Sequence, residues 1–219
     1  MATHASNSDP ARPADGPGDP SPSELSPSGL SQSGLNASGL AGALLLAMPQ
    51  TGSSDDGFHN SVVYICDHDR EGALGFVINR AAELSFGGLC QALGIDPPTD
   101  PDRPVLAGGP VGRERGFILH DDPAWGDAVP AGPGTYLSLT RDSLLALAAG
   151  QGPARCLLLL GYAGWSSGQL DQELVGNFWL TCPADQDLLF DLPLGDRQHA
   201  AAARLGFDYR QLSAHAGHA

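Results

Sequence analysis

The sequence predicts an α/β (mixed α+β) fold, with a mixed, largely antiparallel sheet covered by helices in a single compact domain. Three observations lead to this class. Short runs rich in β-branched and aromatic residues recur along the chain. Gly and Pro turns separate these runs, and helical patterns with capping signals lie between them. The chain has 219 residues, of which 42% are hydrophobic, which is enough for one full core.

Residues 1–39 differ in composition from the rest, being rich in Ser, Pro and Gly. They contain a pentapeptide repeat in which successive units end in Leu, and a period of five fits neither a helix nor a strand. One Leu per unit buries too little apolar surface to offset the entropy of ordering its neighbours. We therefore expect a disordered tail over 1–39 and an α/β domain over 40–219. A docking segment that uses the regular leucines and a misassigned start codon are the alternatives.

The first half of the domain is predicted to contain five strands and one helix. The strands are expected at 44–48, 61–66, 73–79, 105–107 and 116–120, from their apolar, β-branched and aromatic content. A turn at Glu71 and Gly72 predicts that the second and third strands form an antiparallel pair. Ser85 is a predicted N-cap for a short helix that ends at Gly94.

The second half is predicted to alternate strands and helices. Strands are expected at 136–139, 156–160 and 178–182, and the apolar run at 156–160 is typical of a strand buried on both faces. Thr140 or Asp142 should cap a helix closed by Gly150. Ser166 stands three residues before Gln169, which predicts a capping box for a helix at about 167–176. Two final helices are expected at about 185–190 and 196–205.

Composition restricts the partners. The chain has 25 acidic residues against 11 Arg and no Lys, a formal net charge of −14. A nucleic-acid backbone requires a basic face, so we expect no direct nucleic-acid partner and instead a protein partner. The longest apolar run, residues 40–49, is about half of the ~20 residues that a membrane span needs. It has no basic flank typical of a secretory signal. We therefore expect a cytoplasmic protein without a membrane partner.

No metal or cofactor is predicted. Cys66, Cys90, Cys156 and Cys182 have neither CxxC nor zinc-ligand spacing, and we expect buried thiols in a reducing cytosol, with a redox-sensing thiol as the alternative. His120, like His68, ends a predicted strand. The two could in principle form a metal site or a general-base pair with Glu173 or Asp67. Their spacing does not demand it, and a His that hydrogen-bonds backbone is the simpler interpretation.

The most informative run is 161–180, which joins a predicted strand end, a Gly turn, a helix and a second strand. Gln169, Glu173 and Asn177 recur every four residues on the helix and should share one face. This polar stripe could be solvated surface, an inward stripe bonded to neighbouring loops, or a ligand contact. Trp165 and the Trp at the other end of the run favour burial over plain surface.

Other candidate binding residues lie at predicted strand ends, where α/β folds usually place ligands. Gly108 and Gly109 follow a strand and could form an anion-binding nest or a structural turn. Asn79 and Arg80 follow another strand, and we expect the Arg80 guanidinium to pair with a carboxylate such as Glu173 rather than with an anion. The complete candidate set is Asn79, Arg80, Gly108, Gly109, His120, Trp165, Gln169, Glu173 and Asn177, with no catalytic residue assigned.

Several motifs together resemble the YqgE/AlgH family. They are GALGFVINR at 72–80, GGPV at 108–111, RGFILH at 115–120 and GYAGWSSGQLDQELVGNFWL at 161–180, and residues 47–49 and 58–68 fit the family's opening. The resemblance spans roughly residues 40–219; the long tail and Ser167, where Gly or another small residue is expected, depart from it. It implies a small cytosolic bacterial protein with a mixed sheet, no established activity and no assigned cofactor. One branch of the family is named for a regulatory role in alginate production.

Two functional hypotheses follow. The first is a non-enzymatic regulatory or protein-interaction role, with any effect on transcription being indirect, because no basic recognition helix is visible. The alternative is a small-ligand-binding protein or an enzyme of unknown reaction. Its site would lie at the strand ends near Gly108 and Gly109 and at the turn between Trp165 and Glu173.

Overall fold

The structure is a computed structural model that describes residues 39–48 and 58–209. Most of the predicted tail, and residues 49–57 and 210–219 of the predicted domain, lie outside these ranges. The described strands are β1 Ala43–Ala47, β2 Val62–His68, β3 Gly72–Val77, β4 Ala81–Ser85, β5 Pro104–Ala107, β6 Val111–His120, β7 Val129–Pro130, β8 Tyr136–Ser138, β9 Cys156–Ser166 and β10 Trp179–Pro183. The α-helices are α1 Phe86–Ala92, α2 Arg141–Ala148, α3 Gln169–Val175 and α4 Arg197–Arg204, and a π-helical turn covers Asp187–Asp191.

The strands form one curled sheet in the order β10-β1-β2-β3-β9-β6-β8-β7. β5 pairs in parallel with β9 and carries β4 on its other side, whereas the remaining described pairings are antiparallel. The predicted pairing of β2 with β3 is observed, with a bulge between Ile65 and Asp67. The fold class predicted from the sequence, a mixed and largely antiparallel sheet with helices in a single domain, is confirmed.

β9 is longer than the sequence indicated. We expected a strand over 156–160 followed by a Gly turn, but the strand continues to Ser166. Gly161 lies within it at φ +70°, a conformation that favours Gly. Up to Leu160 the strand pairs with β5 and β6, and from Ala163 it pairs with β3, while Tyr162 between them lies opposite Val111 of β6. The predicted turn is therefore an irregularity inside a strand, where the strand changes partners.

Two strands were not predicted, and one is longer than expected. β4 alternates exposed and half-buried residues and contains Ala and Glu, which are weak strand formers. β7 has only two residues, one of them Pro. β6 begins at Val111 rather than at 116, because its first half is largely solvent-accessible and lacks the apolar run that marks its second half.

The helix starts are confirmed where the signal is local. Ser85 Oγ accepts the Gly88 N–H at 3.4 Å, and Thr140 Oγ1 accepts the Ser143 N–H at 3.3 Å. The predicted Ser166 cap of α3 is wrong, because Gly168 in the left-handed conformation precedes that helix and Ser166 belongs to β9. The helix expected at about 185–190 is the π-helical turn, whereas α4 lies within the predicted 196–205.

Two apolar clusters of the described residues connect the sheet to its helices. One, which we call the tryptophan core, consists of residues from β1, β2, β3, β9, α3 and β10: Leu45, Ala47, Val63, Ile65, Val77, Ala163, Trp165, Leu170 and Trp179. The other joins α1 and α2 to the sheet through Phe86, Cys90, Ile95, Val105, Ile118, Leu147, Ala148 and Leu158. The helices therefore cover the sheet, as the apolar positions in the sequence predict.

All four cysteines are free thiols, and the predicted burial is confirmed for Cys66, Cys90 and Cys182. Cys156 is half-buried, and its Sγ accepts a hydrogen bond from the Arg103 guanidinium at 2.8 Å. Burial raises the pKa of all four thiols, and at Cys156 the charge of Arg103 acts in the opposite direction. A raised thiol pKa disfavours the thiolate, which is the reactive form.

Candidate functional site

A single carboxylate joins two indole rings in the run at 161–180. The indole N–H groups of Trp165 and Trp179 both donate to Oε2 of Glu173, at 2.9 and 2.7 Å. Oε1 of the same carboxylate accepts a hydrogen bond from the Gln169 side chain at 2.9 Å. Both carboxylate oxygens are thus occupied by donors of this chain. We call Trp165, Glu173 and Trp179 the Trp–Glu–Trp cluster.

Three successive elements position this cluster. Trp165 lies near the end of β9, Glu173 on α3 and Trp179 at the start of β10. Gln169 and Glu173 are four residues apart, so they are neighbours on the helix surface and can bond to each other. The carbonyl oxygen of the Gln169 side chain accepts the Ser166 N–H at 3.0 Å, which ties the helix back to β9. The inward alternative for the polar stripe is therefore the one observed at Glu173.

The third residue of the predicted stripe lies beyond the helix. Asn177 is exposed and has φ +57°, and its N–H donates to the Leu174 carbonyl at 3.0 Å. Asn is one of the residues that tolerate this left-handed conformation at a helix end. Asn177 therefore turns the chain from α3 towards β10 and does not share the helical face of Gln169 and Glu173.

Phe58 packs against both indole rings of the Trp–Glu–Trp cluster. Its ring stacks on Trp165 with centroids 6.3 Å apart and an interplanar angle of 29°, and it meets Trp179 edge-on at 5.5 Å and 80°. The two indoles meet edge-on at 6.0 Å. These separations lie in the range of favourable aromatic pairs. Local spacing does not connect Phe58 with these two rings, since they lie more than a hundred residues away along the chain.

Asn79 and Arg80 hold the segment that carries Phe58. The Asn79 side chain accepts the Val62 N–H at 2.9 Å and donates to the Asn60 carbonyl at 2.8 Å. Arg80 donates to the His59 carbonyl at 3.0 Å. The expected pair between Arg80 and Glu173 is not formed, because the two indoles and Gln169 occupy the Glu173 carboxylate. Asn79 and Arg80 are therefore connected to the Trp–Glu–Trp cluster indirectly, through the segment that carries Phe58.

The Gly108–Gly109 turn is packed directly on β9. The Gly108 N–H donates to the Leu160 carbonyl and its own carbonyl accepts the Val77 N–H, both at 2.7 Å. A Cβ on Gly109 would lie 2.1 Å from the backbone of Tyr162. These two glycines therefore permit a close approach between backbones, which is the structural-turn alternative of the sequence analysis.

His120 lies in a different part of the sheet. It is fully buried at the end of β6, with Nε2 3.0 Å from Ser138 Oγ and its ring edge-on to Trp125 at 5.1 Å. Its Nδ1 is buried without a hydrogen-bond partner, and burial lowers the pKa of the imidazole. His120 pairs with Cys156 at the opposite end of β9 from Trp165. Nine residues of strand span on the order of 30 Å, so the predicted set does not form one pocket.

Sequence reasoning missed a polar network beside His120. Asp127 accepts hydrogen bonds from Ser143 Oγ at 2.8 Å, Thr140 Oγ1 at 3.1 Å and the Leu139 N–H at 3.0 Å. Burial alone would raise the pKa of Asp127, but these hydrogen bonds outweigh it and lower the pKa below its usual value. The capping signal at Thr140 was readable, whereas nothing in the sequence connected it to Asp127.

No group of three or more His, Cys, Asp or Glu side chains among residues 39–48 and 58–209 is arranged to hold a metal ion. His68 accepts the Leu40 N–H at its Nδ1, at 3.2 Å, and its Nε2 lies 3.6 Å from the Asp171 carboxylate. In the described part of the chain, no helix is both long enough and apolar enough to cross a membrane.

An open groove of about 620 Å³ lies beside the Trp–Glu–Trp cluster. It is lined by Trp179, Leu180 and Thr181 of β10 together with Leu40, Leu174, Leu205 and Phe207. Its lining is mostly apolar, and it borders the outer strand of the sheet. We call this surface the β10 groove.

Comparison with known proteins identifies the family. The AlgH-like family model matches residues 44–210. A UPF0301 protein of Xanthomonas campestris pv. campestris (strain B100) is 47% identical over 182 residues, which cover 82% of this chain and 96% of that protein. This chain belongs to the AlgH-like family. The resemblance stated from the motifs is thereby confirmed.

Other members and structures agree with the AlgH-like assignment. A UPF0301 protein of Saccharophagus degradans is 47% identical over 177 residues, covering 80% of this chain and 86% of that protein. The solution structure of the AlgH protein from Pseudomonas aeruginosa has 42% identity and a TM-score of 0.70, covering 84% of this chain and 98% of that one. A Corynebacterium diphtheriae protein, solved by X-ray crystallography, has a TM-score of 0.61 at 21% identity, covering 78% of this chain and 90% of that one; it shows the fold alone.

Proposed function

We propose that this AlgH-like protein is a non-enzymatic protein whose regulatory role is exerted by binding another protein. One observation carries the proposal: the polar groups of the candidate site bond to one another, while apolar side chains beside it face solvent. Val175 is 85% exposed, Phe178 41% and Leu205 37%. Such a surface favours a macromolecular partner over a small polar ligand.

A small ligand at the candidate residues would have to displace hydrogen bonds that this chain already makes. Both oxygens of Glu173 accept hydrogen bonds from this chain, and the N–H and C=O of Gly108 are likewise bonded to the sheet. A ligand that bound these groups would first break those hydrogen bonds. Leaving a buried donor such as an indole N–H unpaired costs about 1–3 kcal/mol. This arrangement supports a structural role for the candidate residues.

Apolar side chains are exposed between Glu173 and Trp179 in the chain. Val175 and Phe178 flank the turn from α3 to β10, and their chain neighbours Leu174 and Trp179 line the β10 groove. Isolated exposed apolar residues are ordinary on protein surfaces, whereas adjoining ones often mark sites of protein interaction. The Trp–Glu–Trp cluster holds α3 and β10 together next to this surface, which limits the conformational entropy that is lost on binding.

The charge of the chain bears on the kind of regulation. A formal net charge of −14 opposes direct binding to the phosphate backbone of DNA. We therefore propose that the protein acts in the cytoplasm on a protein partner, and that any effect on transcription is indirect.

The proposal is tested by quantitative affinity capture from native bacterial lysate at low salt. The wild-type chain should retain one partner in near-stoichiometric amount. Val175→Glu should reduce that retention about tenfold or more, because it places a charge in the apolar surface. Leu93→Glu, at a leucine that is 44% exposed after α1, is the matched control and should retain the partner.

Two results would contradict the proposed function. One is the absence of any stoichiometric partner under these conditions. The other is a metabolite that raises the melting temperature of the wild-type chain but not of Gln169→Ala, which would favour the small-ligand alternative.

A further inference from the structure

We propose that the outer edge of β10 binds an extended segment of a partner protein as an additional strand of the sheet. This inference rests on the proposed function and specifies its surface and the chemistry of its partner. Strand addition uses the backbone groups of an unpaired sheet edge for affinity and the grooves beside that edge for selectivity.

β10 is the terminal strand of the sheet. It pairs with β1 over Trp179–Pro183, and among the described residues no strand lies on its other side. A strand in this position presents a row of backbone donors and acceptors that can pair with another chain.

The hydrogen bonds at both ends of β10 identify the residues that face outwards. The Met48 N–H donates to the Phe178 carbonyl at 3.0 Å, and the Ala184 N–H donates to the Gly42 carbonyl at 3.3 Å. Residues that face one neighbour alternate along an antiparallel strand. Leu180 and Cys182 therefore face β1, whereas Trp179 and Thr181 direct their N–H and C=O groups to the outer edge.

The next outward position in the alternation is Pro183. Pro has no N–H to donate, and in sheets it is found on edges, where that group is not required. Its position at the end of β10 limits the open edge to a short stretch centred on Thr181, which is exposed. The incoming segment therefore needs only a few residues in extended conformation.

The β10 groove provides apolar contacts on both sides of that edge. Leu40 and Leu174 pack against the tryptophan core on the face that carries Trp179. Leu180 points to the opposite face, because side chains alternate along a strand. Leu205 and Phe207, which follow α4, also line the groove.

An added strand would alternate its own side chains between these two surfaces. The partner segment should consequently be apolar on both faces, with β-branched or aromatic residues that favour extended backbone. A helical ligand would leave the outward N–H groups of Trp179 and Thr181 unpaired.

Charge distinguishes a partner segment from a second copy of this chain. Each copy carries a formal net charge of −14, so self-association through this edge is opposed by repulsion. A segment with Arg or Lys on either side of its apolar stretch would instead be attracted to the protein. We therefore assign the edge to a partner segment that is apolar in its centre and basic at its flanks.

The probe is a library of random peptides of about ten residues, displayed on phage and panned against the full chain. Enriched peptides are then synthesised, and their Kd is measured by fluorescence anisotropy. We expect the enriched sequences to have a short apolar, β-branched centre with Arg or Lys beside it.

Two variants locate the binding site. Thr181→Pro removes an outward N–H that bonds to no described residue and resembles the natural Pro183, so the fold should persist. Leu205→Glu changes the groove at a partly exposed side chain and leaves the edge backbone intact. Each should weaken peptide binding about tenfold or more, whereas Leu93→Glu should bind as the wild-type chain does. Thermal unfolding verifies that the variants are folded.

Three results would overturn the inference. The first is peptide binding that neither Thr181→Pro nor Leu205→Glu changes. The second is a dimer, detected by sedimentation, that Thr181→Pro dissociates, which would assign the edge to a second copy. The third is peptide binding that becomes about tenfold tighter when Leu25, Leu30 and Leu35 are replaced by Ser in the full chain, which would assign the groove to the chain's own leucine repeat.

The same variants separate this inference from the proposed function. If the lysate partner is retained equally by the wild-type chain and Thr181→Pro, the edge inference fails and the protein-binding role stands. If enriched peptides bind at the edge but the lysate yields no partner, the protein-binding role fails.

Discussion

Trp165 donates its indole N–H to the carboxylate of Glu173 at 2.9 Å, joining the end of β9 to the helix that follows it. Trp179 bonds to the same oxygen from β10. One acidic side chain thus fixes three consecutive elements, and the exposed surface at Val175 and Phe178 lies on this frame.

Removing that carboxylate should destabilise the domain. In Glu173→Ala two buried indole N–H groups lose their acceptor, and we expect the free energy of unfolding to fall by about 2–4 kcal/mol. Glu173→Gln keeps one accepting oxygen and should cost less. Urea denaturation measures both. Gln172→Ala, at the preceding exposed position of α3, is the control; a loss no larger for Glu173→Ala than for this control would contradict the structural role.

The Gly108–Gly109 turn should reject even a methyl group. Gly109→Ala would place a Cβ 2.1 Å from the Tyr162 backbone, and β9 cannot move away without breaking its pairing. We expect a loss of about 3 kcal/mol or a failure to fold. Gly116→Ala is the matched control in β6, because no atom lies within 4 Å of its added Cβ. Equal stabilities in urea for the two variants would contradict the close packing of Gly109 against the Tyr162 backbone.

Acid should destabilise the fold through His120. Burial lowers the pKa of this imidazole in the folded state. Below the unfolded pKa of about 6.5, the unfolded chain therefore binds more protons at this residue than the folded chain does. Stability should therefore fall as the pH drops below about 6.5, by at most ~1.4 kcal/mol per pH unit for one proton. When chemical denaturation is measured between about pH 5 and pH 7, His120→Gln should lose this part of the pH dependence of the free energy of unfolding.

The control for this prediction is His199→Gln, at an exposed position of α4. It should keep the pH profile of the wild-type chain. If His120→Gln has the same profile as the wild-type chain, burial of the neutral imidazole is not what limits acid stability.

Arg197 is a buried cation whose described partners are carbonyl groups. It is 2% exposed and donates to the carbonyls of Ile78 at 2.6 Å and Leu192 at 3.1 Å, and burial lowers its pKa to about 10. Arg197→Met would leave both carbonyls without this donor, and we expect a loss of about 2–4 kcal/mol. Arg141→Met, at the exposed start of α2, should change stability by less than about 0.5 kcal/mol. Similar urea midpoints for the two variants would contradict this role for Arg197.

The sequence predicted the parts of this molecule that depend on neighbouring residues. Ser85 and Thr140 cap their helices because a side chain and an N–H three residues later decide the matter locally. The apolar run at 156–160 predicted a central strand for the same reason. The local sequence indicates a turn at Gly161, but this residue lies inside a strand, and its positive φ is set by the approach of the Gly109 turn from elsewhere in the chain.

The candidate site was predicted in part. The spacing of Gln169 and Glu173 indicated a shared helical face, but not that the carboxylate would bind two indoles. The partner expected for Glu173, Arg80, instead holds the segment of Phe58, because the choice among partners is made by tertiary packing. The sequence does not indicate that His120 lies far from the other candidate binding residues, since local spacing does not encode the register of β6 against β9.

Amide hydrogen exchange at Thr181, followed by NMR on the full chain, tests the binding edge most directly. The outward N–H of Thr181 should exchange rapidly in the free protein and become protected when an enriched peptide binds, together with that of Trp179. The amides of Leu180 and Cys182, which face β1, should be protected in both states. If the Thr181 amide is already protected in the free chain, or is unchanged by the peptide, the edge of β10 is not the binding surface.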